Sequence, residues 1–378
     1  MRICLYTSTA LPTIGGQELA VDALAREFVA LGHGVVVLAP RPSRPWRLGD
    51  AERPYPIVRH PRFYSMRRGV DWYRRWLLRL CRRESFDVLH AHGLYPPGYL
   101  AARCRDVLRM PIVLTSHGED VYEGSRRLLD PLLGPRHLAA LEGADALVSI
   151  SRFTREGYQR LCPNARRIVD LPNGVDCDAF SAPTSRPADW DEKLAAGEYV
   201  LFLGRLDPRK GVDVLLEALA RVPENGKVQL VIAGEGPHRP ALESLADRLR
   251  LTERVRFVGV VRGERKIYAL QNARCLAAPS RGWEGAPLVV LEAFAAGCPV
   301  LATRLPGFAD SVVPGRTGWL VAPDSVDELT EALAPVLADA ATADALRPAV
   351  VDFARGLSWN AVARRHVALY QELIDSRG

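Results

Sequence analysis

Short apolar runs and stretches of helical spacing alternate along almost the whole chain. RICLYTS (residues 2–8), GVVVLAP (34–40), DVLHAHG (87–93), PIVLTSHG (111–118) and ALVSIS (146–151) read as strands. ELAVDALAREFVALG (18–32), between the first two, has the helix pattern. Such alternation predicts βαβ units and a parallel sheet covered on both faces. Residues 178–198, DAFSAPTSRPADWDEKLAAGE, are polar, contain proline and lack a period, and read as a linker. The alternation then restarts with YVLFLGRL (199–206), VQLVIAGEG (228–236), VRFVGVV (255–261), CLAAPS (275–280) and PVLATRL (299–305). The expected architecture is α/β, with two consecutive doubly wound domains at 1–177 and 199–357. A last helix, SWNAVARRHVALYQELI (358–374), follows the second.

A length of 378 residues agrees with two domains, since one hydrophobic core stops growing below that size. Seven scattered cysteines without a C-x-x-C pair point to reduced thiols in a cytosolic protein, not to disulfides or zinc. No apolar run reaches spanning length and the start is too short for a signal peptide, so the expected location is cytoplasmic. The net charge of +6 is uneven: residues 1–180 hold 26 Arg against 19 acids. That half is expected to meet something anionic. Only four of the 50 basic residues are lysine, which reads as compositional bias.

In open parallel sheets ligands bind beyond the carboxyl ends of the strands, and the unusual residues collect there. Gly15 and Gly16 open the first helix, where a backbone can approach a phosphate; a tight turn explains the pair equally well. The run is not G-x-G-x-x-G and strand two ends in Ala39-Pro40 without a ribose-binding acid, which disfavours a dinucleotide. His117 and Asp120 in SHGED lie just past the fourth strand. His117 there could bond a sugar, share a proton or merely cap a loop. In GRLDPRKG (204–211), Arg205 and Lys210 flank a turn before a helix and would clamp a diphosphate; solvated surface charges are the plainer reading. Glu284 and Glu292 in RGWEGAPLVVLEAFAAG are separated by seven residues, one before a helix and one in its first turns, with Pro287 at the first helical position. A spaced carboxylate pair suits a ligand rich in vicinal diols.

With these motifs, NGVD at 173–176 and GEGP at 234–237, the sequence resembles the retaining glycosyltransferases of family four over nearly its whole length. EGAPLVVLEA (284–293) carries that family's E-x7-E signature. The resemblance implies the GT-B architecture, two Rossmann-like domains facing across a cleft, with the last helix (358–378) returning to the first domain. It implies that Glu292 holds the ribose of a nucleotide and Glu284 the transferred sugar. Arg205 and Lys210 would hold the diphosphate, helped by the backbone of Gly285, Ala286, Pro287 and Leu288. Gly259 and Val260 would lie by the base, His117 by the sugar, and Gly15-Gly16 by the diphosphate. UDP is the family's commonest donor nucleotide. Neither a cofactor nor a metal is expected. A nucleotide-sugar epimerase and a non-catalytic nucleotide-sugar-binding protein are the alternatives. Nucleic acid is not an expected partner.

Residues 41–83 hold 13 Arg and three acids. Within them DWYRRWLLRLCRR (71–83) spaces Trp72, Trp76 and Leu80 as an amphipathic helix, with Tyr73 and Leu77 on the adjoining face. One reading is a peripheral site on an anionic membrane serving a lipid-linked acceptor; the other is internal packing of the aromatic stripe.

Overall fold

The computed structural model describes residues 1–13, 15–42, 52–62, 69–190, 194, 199–223 and 229–377. They form two compact units, Met1–Gly174 with Trp359–Gly378, and Val175–Ser358. The first unit holds a seven-stranded sheet: β1 (Arg2–Thr7), β2 (Gly34–Pro40), β3 (Ile57–His60), β4 (Val88–His92), β5 (Ile112–Thr115), β6 (Ala146–Ser149) and β7 (Ile168–Asp170). Their order across the sheet is β3-β2-β1-β4-β5-β6-β7. The second unit holds β8 (Tyr199–Leu203), β9 (Gln229–Ala233), β10 (Val255–Gly259), β11 (Ala273–Ala278), β12 (Val300–Thr303) and β13 (Gly318–Val321), ordered β10-β9-β8-β11-β12-β13. Every pairing is parallel. Both sheets reverse direction once, between β1 and β4 and between β8 and β11. The crevice at such a switch point is where doubly wound sheets bind ligands.

The strands are apolar because both faces are covered. Cys4, Tyr6 and Leu38 face one core of the first unit, while Ile3, Leu5 and Val37 face the other. Helix Gly16–Ala30 packs Val21, Leu24 and Phe28 onto that second face, beside Val362, Leu369 and Tyr370 of the C-terminal helix Trp359–Asp375. Fully burying a side chain the size of Phe28 contributes roughly 1.5–3 kcal/mol. The C-terminal helix is thus an integral wall of the first unit. The chain leaves the first unit after Gly174 and returns at Trp359, where a Cβ on Gly174 would come 2.8 Å from the Trp359 Cα.

Two sequence expectations change. The segment read as a linker is not free: Phe180, Trp190 and Leu194 are buried in a core of the second unit, although residues 191–193 and 195–198 lie outside the described residues. Three apolar side chains spread over a polar stretch have no period to reveal them. Strands β3, β7 and β13 are not among the expected ones.

Candidate active site

At the switch point of the second unit, the segment after β8 and the segment after β11 close on each other. Asp207 caps the turn Pro208–Lys210 by accepting the Arg209 N–H at 3.1 Å, and Gly211 follows with φ +65°. A Cβ at Gly211 would lie 2.0 Å from the Pro279 carbonyl oxygen, so only glycine permits this approach. Arg281 fastens the two segments: its N–H donates to the Arg209 carbonyl (2.8 Å) and its guanidinium to the Pro208 carbonyl (3.1 Å), Asp213 (2.7 Å) and Asp324. Arg209 lies 4.6 Å over the Trp283 ring.

The glutamate pair sits on this frame. Glu284 is 7% exposed, and its Oε1 accepts both the Lys210 ammonium (2.6 Å) and the Ser280 hydroxyl (2.7 Å). Its backbone is confined as well, since a Cβ at Gly307 would stand 2.0 Å from the Glu284 carbonyl oxygen. Glu292, within helix Leu288–Ala295, accepts the Lys266 ammonium at Oε1, also at 2.6 Å. Lys266 comes from helix Glu264–Gln271 and lies 5.2 Å over the Phe180 ring. Both carboxylates therefore share a plan: one oxygen is held by a lysine, and the other makes no hydrogen bond to a described residue. A carboxylate oxygen so placed accepts hydroxyls.

The remaining expected residues are distributed as follows. Arg205 is largely solvent-exposed, 4.0 Å from Asp207, while Lys210 faces Glu284; in this structure the two cations do not form one clamp. Pro287 is extended (ψ 116°) and precedes the helix instead of opening it. Gly285 is buried, whereas Ala286, Pro287 and Leu288 are partly exposed. Gly259 ends β10 with φ +69°, and Val260 beside it is half exposed.

In the first unit, Gly15 precedes helix Gly16–Ala30 in an extended conformation, and a Cβ on it would meet the Glu18 carboxylate at 2.5 Å. Glu18, bonded to Thr9, thus lies against the helix start that was expected to face a diphosphate. His117 follows β5 with Nε2 3.2 Å from His92 Nδ1. Burial pulls its pKa down to about 4, so near pH 7 it is a neutral imidazole that donates or accepts a hydrogen bond. Asp120 is structural: its Oδ2 accepts the Leu94 N–H at 2.8 Å. Burial pushes its carboxyl pKa up. Helix Arg74–Arg83 turns Leu77 and Leu80 inward, with Tyr73 just before it. The buried face is therefore Tyr73-Leu77-Leu80, while Trp72, Arg75, Arg79, Arg82 and Arg83 are exposed. Residues 43–51 and 63–68 of the arginine-rich segment lie outside the described residues.

Residues 14–179 match the family described as Glycosyltransferase Family 4, and residues 189–350 match Glycosyl transferases group 1. The phosphatidyl-myo-inositol mannosyltransferase of Mycobacterium tuberculosis H37Rv is 32% identical, covering 100% of this chain and 98% of its own length. The chain belongs to glycosyltransferase family 4. A GDP-mannose-dependent alpha-(1-6)-phosphatidylinositol monomannoside mannosyltransferase of Mycolicibacterium smegmatis is 29% identical over 90% of this chain and 91% of its own. Among solved structures, sucrose-phosphate synthase of Thermosynechococcus elongatus superposes with TM-score 0.84 at 26% identity, covering 99% of each chain. HepE of Anabaena in complex with UDP and glucose does so with TM-score 0.80 at 18% identity, over 98% of this chain and 100% of its own. The transferase thus has two parallel-sheet α/β domains of the GT-B type.

Sequence reasoning missed Lys266, Ser280 and Arg281 in this transferase. One signal was available. The chain has only four lysines, and the two described ones, Lys210 and Lys266, are the partners of Glu284 and Glu292. In a chain that otherwise uses arginine, a lysine marks a place for a compact point charge rather than a planar fork. Among the described residues no group of three or more His, Cys, Asp or Glu side chains could hold a metal ion, and no helix is long and apolar enough to cross a membrane.

The close approach at Gly211 gives a direct test. Gly211→Ala would force a left-handed residue with a Cβ against the Pro279 carbonyl, and should destabilise the protein by about 1–3 kcal/mol. It should also depress transfer, because Lys210 is the adjacent residue. Thermal unfolding and activity assays report the two effects; an unchanged melting point together with unchanged activity would contradict this packing.

Proposed function

We propose that this glycosyltransferase moves a sugar from a nucleoside-diphosphate sugar to an acceptor hydroxyl, with retention of configuration and without a metal ion. The observation that carries the proposal is the pair of lysine-held carboxylates, Glu284 and Glu292, each with one oxygen open to hydroxyls. In this reading Glu292 takes the ribose and Glu284 the transferred sugar. Lys266 orients Glu292, and Lys210 orients Glu284. Lys210 also supplies positive charge beside the departing diphosphate, which Arg205 joins by folding in from solvent. Backbone from Gly285 to Leu288 completes the diphosphate site, Gly259 and Val260 flank the base, and His117 bonds the sugar. With Glu18 against Gly15, the part assigned to Gly15 and Gly16 near the diphosphate requires that carboxylate to move or be countered. The names of the full-length relatives favour mannose from GDP-mannose, in place of a UDP sugar, and a phosphatidylinositol-type lipid as acceptor. They give no support to an epimerase or to a non-catalytic binder.

A lipid acceptor gives the exposed cations a use. Trp72 and Arg75, Arg79, Arg82 and Arg83 would rest on an anionic bilayer while Tyr73, Leu77 and Leu80 stay inside. Each basic residue at such a surface is worth about 1 kcal/mol, so attachment would be reversible and salt-sensitive.

Transfer from GDP-mannose to phosphatidylinositol is the assay. Glu292→Gln, Lys210→Ala and Glu284→Ala should each lower kcat/KM by roughly ten- to a hundredfold, the worth of one charge-assisted hydrogen bond. Excess EDTA should leave wild-type turnover intact, since Lys210 and Arg205 supply the countercharge. Undiminished kcat/KM in all three variants would defeat the assignment, and loss on chelation restored by magnesium would defeat metal independence.

Co-sedimentation with vesicles tests the membrane proposal. Binding is expected to phosphatidylserine-containing vesicles at low salt, with release at high salt and little binding to phosphatidylcholine. Equal binding to both lipids, or none to either, would leave a soluble acceptor as the better reading.

A further inference from the structure

Four histidines line up inside the first unit, and the proposed reaction uses only one of them. His366 on the C-terminal helix stacks on His90 at 5.7 Å between ring centres, His90 lies 4.2 Å from His92, and His92 lies 5.4 Å from His117. His90 is locked at both nitrogens, with Nδ1 2.6 Å from the Tyr370 hydroxyl and Nε2 2.7 Å from that of Thr115. His92 is the last residue of β4, in register with Thr7 of β1 and Thr115 of β5. It therefore stands at the switch point of the first sheet. It is 1% exposed, and its Nε2 is buried without a hydrogen-bond partner among the described residues.

We infer that His92 is a positioning residue that fixes the tautomer of His117, so that His117 presents its Nδ1–H as a donor to a hydroxyl or phosphate oxygen of the ligand. Burial keeps both rings neutral near pH 7, so each carries one N–H and one bare nitrogen. Across the 3.2 Å contact one ring must donate and the other accept. If His117 Nε2–H donated, the remaining proton of His92 would sit on the buried Nε2 with nothing to receive it. An orphaned buried N–H costs more than an under-used acceptor. The lower-energy arrangement has His92 Nδ1–H donating to His117 Nε2, which leaves the proton of His117 on Nδ1. His117 is partly exposed, and its Nδ1 makes no hydrogen bond to a described residue. The ring of His92 cannot easily turn, because it lies against His90, itself held by Thr115 and by the C-terminal helix. The inference deepens the proposed transfer reaction and rests on it only for the identity of the ligand.

Imidazole ¹⁵N chemical shifts of the labelled protein, with His117 assigned by the loss of its signals in His117→Gln, read the tautomer directly. The expected spectrum has Nδ1 of His117 protonated and Nε2 bare. His92→Phe keeps a flat ring but removes the donor, so His117 should redistribute toward the Nε2–H form. Turnover of GDP-mannose should then fall about tenfold, the worth of one hydrogen bond, with the melting temperature little changed. His92→Asn, whose amide overlays Nδ1, should restore much of both. A wild-type His117 protonated at Nε2 would overturn the inference, and so would His92→Phe leaving tautomer and turnover alone. Should His92→Phe fail to fold, the wild-type spectrum decides by itself. Absence of transfer by a wild-type protein with the expected tautomer would count against the reaction and not against this role of His92.

Discussion

A carboxylate taken out of water gives up solvation that only a close cation and good hydrogen bonds return. Glu284 meets that requirement through Lys210 and Ser280, and the requirement organises the segments after β8 and β11. Lys210 can reach Glu284 only because Gly211 brings the turn after β8 against Pro279. That approach in turn is fastened by Arg281 to Arg209, Pro208 and Asp213. Removing one partner of a buried pair generally costs about 3–5 kcal/mol, because the other is left without a countercharge. Such a pair is a poor source of stability compared with apolar packing, so its presence at a switch point points to use by a ligand.

The second glutamate repeats the device with different elements. Glu292 and Lys266 come from two neighbouring helices, and Lys266 is steadied by the Phe180 ring from the segment that resembled a linker. That segment is thus part of the wall behind the site. The first unit works with neutral groups instead. Burial lowers the pKa of His90, His92, His117 and His366, so these four rings offer direction rather than charge, and the C-terminal helix takes part in holding them through Tyr370 and His366.

Much of this was legible from the chain alone. Two doubly wound domains followed from the alternation of apolar runs with helical stretches, because every strand except β3, β7 and β13 lies in a conspicuous apolar run. Glu284 and Glu292 were visible because carboxylates are conspicuous among apolar neighbours. Their partners were not: Lys266 lies 26 residues from Glu292, and Ser280 and Arg281 are unremarkable in composition. That Lys210 and Lys266 are the partners of the two glutamates was not visible from the low lysine count. The spacing of Arg205 and Lys210 did not show that in this structure the turn aims Lys210 at Glu284 and Arg205 at solvent. Before and on helix Arg74–Arg83 the buried face keeps Leu80 of the expected stripe but takes Tyr73 and Leu77 in place of Trp72 and Trp76, a choice that packing decides.

The claim that the lysine-held carboxylates grip sugar hydroxyls is tested most directly by a double-mutant cycle between protein and ligand. Calorimetric titration would compare GDP with 2′,3′-dideoxy-GDP on wild type and on Glu292→Gln. If Glu292 holds the ribose, removing the hydroxyls should weaken binding to wild type by roughly tenfold or more and have little effect on the variant. Equal losses on both proteins would show that Glu292 and the ribose do not interact, and would contradict the account at its centre.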